Sequence, residues 1–542
     1  MRLLRVVAVT LVLLTTAVLI AADNRRPVDA SADRIRAHIE FLASDLLQGR
    51  EPGTPGYDIA ADYVAGQFRQ LGLTPAGNSG SYFQKVPLLA YRLVDRGTFV
   101  LKGAGDRTLP LVFGEDYLPG VSPRTGSRST SGSLVFAGFG VVAPEHNRDD
   151  YSGLDVTGKI VVVIFGAPLD MPTEERAYYV SSRVKRAEAA KRGAIGMVFV
   201  NTPEADRRQR FSEGARTWDS WGMTWQNAAG EPFDPVPGVP VLAVLSSVAG
   251  EKLFQATPKS FQEVATIAES KQRQEMPHFA LPWSLDATLT SETKPVQSYN
   301  IAGIIPGRDP AVRDEVVVLS AHLDHIGVTA PVDGDAINNG ALDNAAGVAT
   351  TLEVARMMVN ADRAPRRSIL VLAVTAEEKG LIGSEYFARN PTVPRERIVA
   401  DVDLDMPILH YDFTDVIAFG ADHSTVGDAV RRAARRMNVT LSPDPLPEEG
   451  LFTRSDHYRF VEMGVPAVFL MTGFANGGEK QFREFLETCY HRPCDDTAHP
   501  IDYRVGAKFA QINYEIAREL ADASAPPAWN PGDFFGGKFG RR

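Results

Sequence analysis

From about Tyr299 onward the sequence alternates short apolar, β-branched runs with stretches of helical spacing, and three of the runs end in imidazole or carboxylate side chains. EVVVLSAH ends in His322, SILVLAVTA runs into Glu377 and Glu378, and RIVADVDLDM closes on Asp405. Between them lie NAAGVATTLEVARMM and GLIGSEYFARN, with apolar residues at helical spacing; VIAFG and PAVFLMTG follow as strands, and a closing helix runs from about Tyr503 to Leu520. Strands this apolar are buried on both faces, so the pattern predicts an α/β fold: a mixed, largely parallel sheet flanked by helices. Ligands of such sheets bind beyond the carboxyl ends of the strands, which is the edge where these polar side chains fall.

Upstream the texture differs. Ile35, Ile39, Leu42 and Leu46 recur at helical spacing behind a cap at Ser31; the turn-rich GREPGTPG follows, and then a second helix from about Tyr57 to Leu71. From about Ser131 come glycine-separated β-rich runs, SGSLVFAGFGVV, GKIVVVIFG, AIGMVFVN and later VPVLAVLS, with the helix-like VKRAEAAKRG among them. They make a compact, β-rich α/β unit with no convergent cluster of reactive side chains, so this unit is expected to be non-catalytic. The expected boundaries are 1–22 for a leader, 27–120 for helices belonging to the main domain, 121–285 for the inserted unit, 286–525 for the main domain and 526–542 for a tail. That tail, APPAWNPGDFFGGKFGRR, is rich in proline and glycine and reads as a poorly ordered or surface-wrapping end.

Imidazole and carboxylate together suit zinc or a similar divalent ion, and one aspartate can bridge two ions about 3.5–4 Å apart. Asp343, in the loop GALDNAAG ahead of a helix, is the candidate bridge. One ion would take Asp343, Glu378 and His491, the last from the late loop CYHRPCDD; the other would take Asp343, His322 and Asp405. Asp324, two residues after His322, is expected to accept the proton of the imidazole nitrogen turned away from the metal. Neighbouring side chains at a strand end point in different directions, so Glu378 can bind metal while Glu377 addresses water as general base.

Each motif is weak alone. A lone HxD, EE or DNAAG is usually a surface pair, a helix start or a cap. Their information lies in occurring together, in order, at strand ends of one sheet. Asp403 points to the same side of the strand as Asp405 and competes with it. His325, His410, His423 and His499 are expected at the surface or behind the site, and His457 at a helix start capped by Ser455 or Asp456, its role open.

The first residues, MRLLRVVAVTLVLLTTAVLIAAD, place Arg2 and Arg5 ahead of an apolar run ending in small residues around Ala22, the form of a signal peptide; the rival is an uncleaved anchor. The expectation is an exported protein, periplasmic or secreted, with no stable membrane insertion once the leader is removed. Export makes a disulfide between the two cysteines, Cys489 and Cys494, the expected state. The formal charge of -10 argues against nucleic-acid partners. Oligomeric state is not readable.

SAHLDHIG, GALDNAAGVA, TAEEKGLIGSEYF, DLDMP, SDHYRFVEMGVPAVF and YHRPCDD resemble the successive motifs of the di-zinc aminopeptidases of the bacterial leucyl aminopeptidase type, relatives of glutamate carboxypeptidase. VFAGFGVV, YSGLDVTGKIVVVIFG and AAKRGAIGMVFV are similar to a protease-associated domain, which interrupts the chain in that family. The resemblance implies a zinc-peptidase/phosphorylase-like three-layer sandwich, peptide substrates, two co-catalytic zinc ions on His322, Asp343, Glu378, Asp405 and His491, and Glu377 as base. It also favours Asp405 over Asp403. Asn344 stands where many relatives carry a second aspartate, and the tyrosine-histidine loop carries Arg492 and Cys494. The expected activity is removal of amino-terminal residues; alternatives are a carboxypeptidase or glutaminyl cyclase on the same fold, or an inactive receptor-like module.

Overall fold

The computed structural model describes residues 29–541 apart from positions 106, 209 and 210. The leader expected at 1–22 lies outside the described residues. Strands Ser368–Val374, Val316–His322, Ile398–Asp403 and Ala467–Thr472 form the parallel centre of the main sheet, in that order. Asp415–Phe419 flanks one side, antiparallel to Ala467–Thr472, with Thr440–Ser442 parallel beyond it, and the end of the long strand His278–Ile305 flanks the other, antiparallel to Ser368–Val374. Every residue of Val316–His322, Ser368–Val374 and Ala467–Thr472 is buried, as the absence of polar alternation requires. Each such Val, Leu or Ile contributes about 1.5–3 kcal/mol by leaving water.

Helices cover both faces. Ala32–Leu42, Ala346–Asn360 and Tyr503–Asp522 pack on one another, and Ile382–Arg389 packs against the short helix His457–Glu462. Ser31 caps the first helix, its side chain accepting from the amide of Arg34. The second leader helix spans Pro55–Leu71 and ends at Gly72, whose φ of 75° is the left-handed conformation common at helix ends.

The inserted unit has its own parallel strands, Gly126–Ala137, Ile160–Ile164, Gly196–Val200 and Val241–Leu245, around a core holding Phe136, Phe254, Phe261 and Trp283. The run SGSLVFAGFGVV is not one strand. Its strand ends at Ala137 and the chain turns at Gly138, φ 54°, where a Cβ would lie 2.6 Å from the Met276 side chain. His278–Ile305 leaves this unit and continues into the main sheet, pairing in turn with Gly126–Ala137, Thr98–Lys102, Phe83–Leu93 and Ser368–Val374.

The tail is built into the molecule. Trp529 bridges to Ser424, Phe535 in the short helix Phe534–Phe539 is fully buried, and Tyr178 of the inserted unit packs edge-on to both Phe534 and Phe535. Its four aromatic residues after Pro527 supply apolar surface that its proline and glycine content conceals. His423 ties three parts together, with Nδ1 2.6 Å from Asp533 of the tail and Nε2 2.5 Å from Glu174 of the inserted unit. It is therefore not at the free surface. Burial would lower its pKa, but the hydrogen bonds to Asp533 and Glu174 raise it to about 9. A histidine raised above its ordinary value of about 6.5 stabilises the fold fully below that value and loses the effect as pH rises through the folded pKa. Replacing His423→Gln is expected to destabilise by about 2–3 kcal/mol at pH 6, with the difference fading above pH ~9. Denaturant unfolding of both proteins at the two pH values measures this; a difference that grows with pH would contradict the linkage.

Candidate metal centre

The carboxyl ends of the central strands deliver the side chains. His322 closes its strand with Nε2 3.0 Å from Oδ1 of Asp405 and 3.2 Å from Oδ1 of Asp343. The other oxygen of Asp343, Oδ2, lies 3.3 Å from Nε2 of His491, and that nitrogen is 3.1 Å from Oε2 of Glu378. Asp343 thus presents one oxygen to the His322–Asp405 pair and the other to the His491–Glu378 pair. Ala376, Met406 and His491 have φ of 55°, 41° and 57°. Left-handed backbone at non-glycine residues persists only where surroundings over-determine it, and here it flanks Glu377 and Asp405 and includes His491.

Asp405 and Asp403 separate cleanly. Asp403 is fully buried behind the site, accepting from the Ser455 hydroxyl at 2.6 Å, the His457 amide at 3.2 Å and the Ser320 hydroxyl at 3.2 Å. His457 is fully buried between the rings of Phe452 and Phe469, and neither ring nitrogen has a hydrogen-bond partner among the described residues.

Asp324 does not act on His322 through its carboxylate. Its main-chain carbonyl lies 3.1 Å from Nδ1 of His322, while its carboxylate accepts from the amides of Glu377 at 3.1 Å and Glu378 at 3.3 Å. The chain turns immediately after His322, so the carbonyl reaches the ring first and the side chain spans to the neighbouring strand end. His325 takes the second of the two places expected for it, behind the site: fully buried, it places Nδ1 2.7 Å from Oε1 of Glu378, and its ring stands edge-on to His491 at 5.8 Å. Only His499, half exposed against Asp496, matches the surface expectation plainly; His410 is partly buried against Phe485.

Two residues support the site: Asp495, which the sequence does not single out, and Asn344, which stands out there only as a departure from relatives. Asp495 accepts from the amides of Leu342 at 2.9 Å and Asp343 at 3.0 Å, and so orients the loop of the shared aspartate. Asn344 uses both ends of its amide, donating to the Leu404 carbonyl at 3.0 Å and accepting from Met406 at 3.2 Å and Gly347 at 2.9 Å, which grips the chain on either side of Asp405. Asp495 stands inside CYHRPCDD, but its partners are main-chain amides, which leave no residue-type signal. Cys489 and Cys494 are joined in a disulfide that encloses Tyr490 and His491.

The electrostatics ask for cations. Burial raises the Glu377 carboxyl well above its ordinary range, with the charges of Glu378, Asp405 and Asp456 adding to it against His322. Burial likewise raises Asp405, and Asp324 to about 6. Burial and Asp343 push Glu378 up, but hydrogen bonds from His325 and His491 bring it to about 2. Carboxylates crowded until some are driven toward protonation form a site that divalent charge neutralises. Nε2 of His325 lacks a hydrogen-bond partner among the described residues. Carboxylates interleaved with imidazoles form the donor set that zinc takes, so the residues present fit such ions. The carboxylates open onto a small cavity whose further wall is Met406, Leu451, Arg454, Phe469, Met471 and Tyr490.

Residues 300–517 match Peptidase family M28, and residues 130–253 match the PA domain. The chain is similar to a probable zinc metalloprotease of Pyricularia oryzae, 30% identical over 267 residues that cover 43% of this chain and 51% of that one. It is also similar to the probable lipoprotein aminopeptidase LpqL of Mycobacterium tuberculosis, 23% identical over 532 residues, 94% of this chain and 88% of that one. Over three curated relatives, the match covers about half of the relative's length or less, 51%, 38% and 50%. Among solved structures the fold is similar to an aminopeptidase from Aneurinibacillus sp. strain AM-1, at TM-score 0.52 and 19% identity over 93% of this chain and 97% of that one.

Proposed function

We propose, from the match of residues 300–517 to peptidase family M28 and of residues 130–253 to the PA domain, that the chain is an exported zinc-dependent aminopeptidase acting on peptides. The observation that carries the reading is the split of Asp343, one oxygen toward His322 and Asp405 and the other toward His491 and Glu378. In this reading His322, Asp343 and Asp405 would hold one zinc ion, and Asp343, Glu378 and His491 a second. Zinc bound there supplies Lewis acidity, polarising the scissile carbonyl and acidifying the attacking water.

The chain's own groups do the rest. Glu377 shares the cavity with the ligand set and takes the proton of the attacking water, then passes it to the leaving amine. Asp324 holds the backbone of that residue through the Glu377 amide and so fixes where the base stands. Tyr490 lines the same cavity; burial, with the charges of Asp343 and Glu378, pushes its hydroxyl pKa up, so it stays a donor able to meet the carbonyl oxygen of a bound peptide. His325, against Glu378, orients that carboxylate. Among the described residues no helix is long and apolar enough to cross a membrane, and export rests on the leader sequence.

One observation favours a second reading. Arg454 lies on the cavity wall, half exposed and 3.3 Å from Glu449, where it can meet a substrate carboxylate as a carboxypeptidase requires. Amino-acyl anilides, which lack a carboxyl terminus, and amino-blocked peptides, which lack an ammonium, separate the two. The expected result is hydrolysis of the anilides and none of the blocked peptides. The reverse pattern would sink the aminopeptidase reading and leave Arg454 as the anchor.

A further inference from the structure

The leader turn GREPGTPG plays no part in the chemistry above, yet it reaches all three loops that carry it. Gln48, Gly49 and Arg50 have successive φ of 48°, 68° and 50°. Three left-handed residues in a row, two of them not glycine, persist only where the surroundings hold them. Gly49 is wedged against the hairpin base: a Cβ there would stand 2.4 Å from the Asn338 carbonyl oxygen and 2.8 Å from Gly327. The turn then drives the Arg50 side chain inward to 1% exposure.

Arg50 is satisfied by main-chain carbonyls. It donates to Leu323 at 2.9 Å, to Asn339 at 2.6 Å, to Gly340 at 3.0 Å and to Leu42. Leu323 follows His322 directly, and Asn339 and Gly340 begin the loop that leads into Asp343. The rigid fork of a guanidinium bonds both loops at once, which an ammonium cannot do in one geometry. The Arg50 carbonyl accepts from the His325 amide at 3.4 Å, and the next residue, Glu51, pairs with Lys379 at 3.0 Å, beside Glu377 and Glu378. Asn339 is also tied back to the leader, donating to the Ala43 carbonyl at 2.9 Å and to Asp45 at 2.8 Å. The charges of Asp495, Asp324, Asp343 and Glu378 all bear on Arg50.

We propose that Gln48–Glu51 is a positioning clamp, in which Arg50 and Glu51 fix the spacing of the loops bearing His322, Asp343 and Glu377–Glu378 and so set the affinity of the centre for divalent cations. The inference rests on the reading of those side chains as metal ligands and adds the leader as the part that holds them in register. Residues that orient metal ligands change affinity without touching the metal, typically about 10–100-fold when removed.

The test is zinc affinity of the full chain, by competition with a chromophoric chelator, for the unaltered protein, Arg50→Lys, Arg50→Met and Glu51→Gln, with circular dichroism to establish folding. Arg50→Met is expected to bind zinc about 10–100-fold more weakly and to recover turnover as zinc is raised. Rescue by excess zinc in a variant that circular dichroism shows folded before zinc is added is a response that a folding lesion lacks; the condition is needed because zinc also stabilises a destabilised fold by mass action. Arg50→Lys, which keeps the charge and loses the fork, should remain impaired, and Glu51→Gln should show a smaller loss in the same direction. Folded Arg50→Met with unaltered zinc affinity overturns the clamp. If Arg50→Met does not fold, unaltered affinity in both Arg50→Lys and Glu51→Gln overturns it instead. A parent protein that binds no zinc fails the metallopeptidase reading itself, which is a different outcome from variants that bind as well as the parent.

Discussion

Glu377→Gln is expected to lower kcat by about 10²–10⁴-fold, the usual contribution of a positioned general base, while zinc content and KM stay near those of the parent. The substitution keeps the shape of the side chain and removes its ability to take a proton. Glu378 accepts hydrogen bonds from His325 and His491, whereas His322 bears on Glu377 through its charge. Losing the Glu377 carboxylate therefore leaves the proposed ligands in place. In the free centre its carboxyl is pushed well above the ordinary range by burial and by neighbouring carboxylates. Divalent charge reverses that balance and returns it to the basic form. Peptidase assays together with zinc analysis of the purified variant decide the matter: near-parental turnover with full zinc removes Glu377 from the mechanism, and lost zinc makes it a ligand.

Withdrawing the metal should have the largest effect of all. Chelation is expected to abolish turnover, and added zinc to restore it, because the donor set then confronts its own charge. Asp343→Ala should behave like the chelated protein and resist rescue, since it removes the one carboxylate placed between both imidazole pairs. Stability follows the same course. A ligand present at a thousand times its Kd stabilises the folded state by about 4 kcal/mol. The thermal transition of the main domain should therefore fall on chelation and rise again with zinc in the parent, and stay low in Asp343→Ala. Scanning calorimetry with and without zinc makes the comparison. An Asp343→Ala protein that responds to zinc as the parent does would mean that the bridging assignment is wrong.

The sheet and its edge are legible because burial on two faces demands uninterrupted apolar runs, and Val316–His322, Ser368–Val374 and Ala467–Thr472 supply them. Counting along such runs also places His322 at the end of one strand, Glu377 and Glu378 just past the end of a second and Asp405 two residues past the end of Ile398–Asp403. The tail is less legible: its proline and glycine leave a loose end and a surface-wrapping one both open, and Trp529, Phe534 and Phe535 are apolar enough to dock it. For His325 and His423 the sequence leaves surface and buried positions behind the site equally open, because nothing in their neighbours announces the carboxylates that meet them from distant segments.

The sequence by itself determined the order of strands and helices, the residue types offered at the sheet edge and the identity of the candidate base, since each depends on local periodicity or on chemistry carried by one residue. Tertiary structure decided which carboxylate faces the cluster, Asp405 and not Asp403, and which oxygen of Asp343 meets which histidine. It also decided that Asp324, Asp495 and Arg50 act on main-chain amides and carbonyls. A peptide group is the same at every position, so a side chain that binds backbone across hundreds of residues leaves no pattern to read until the chain has folded.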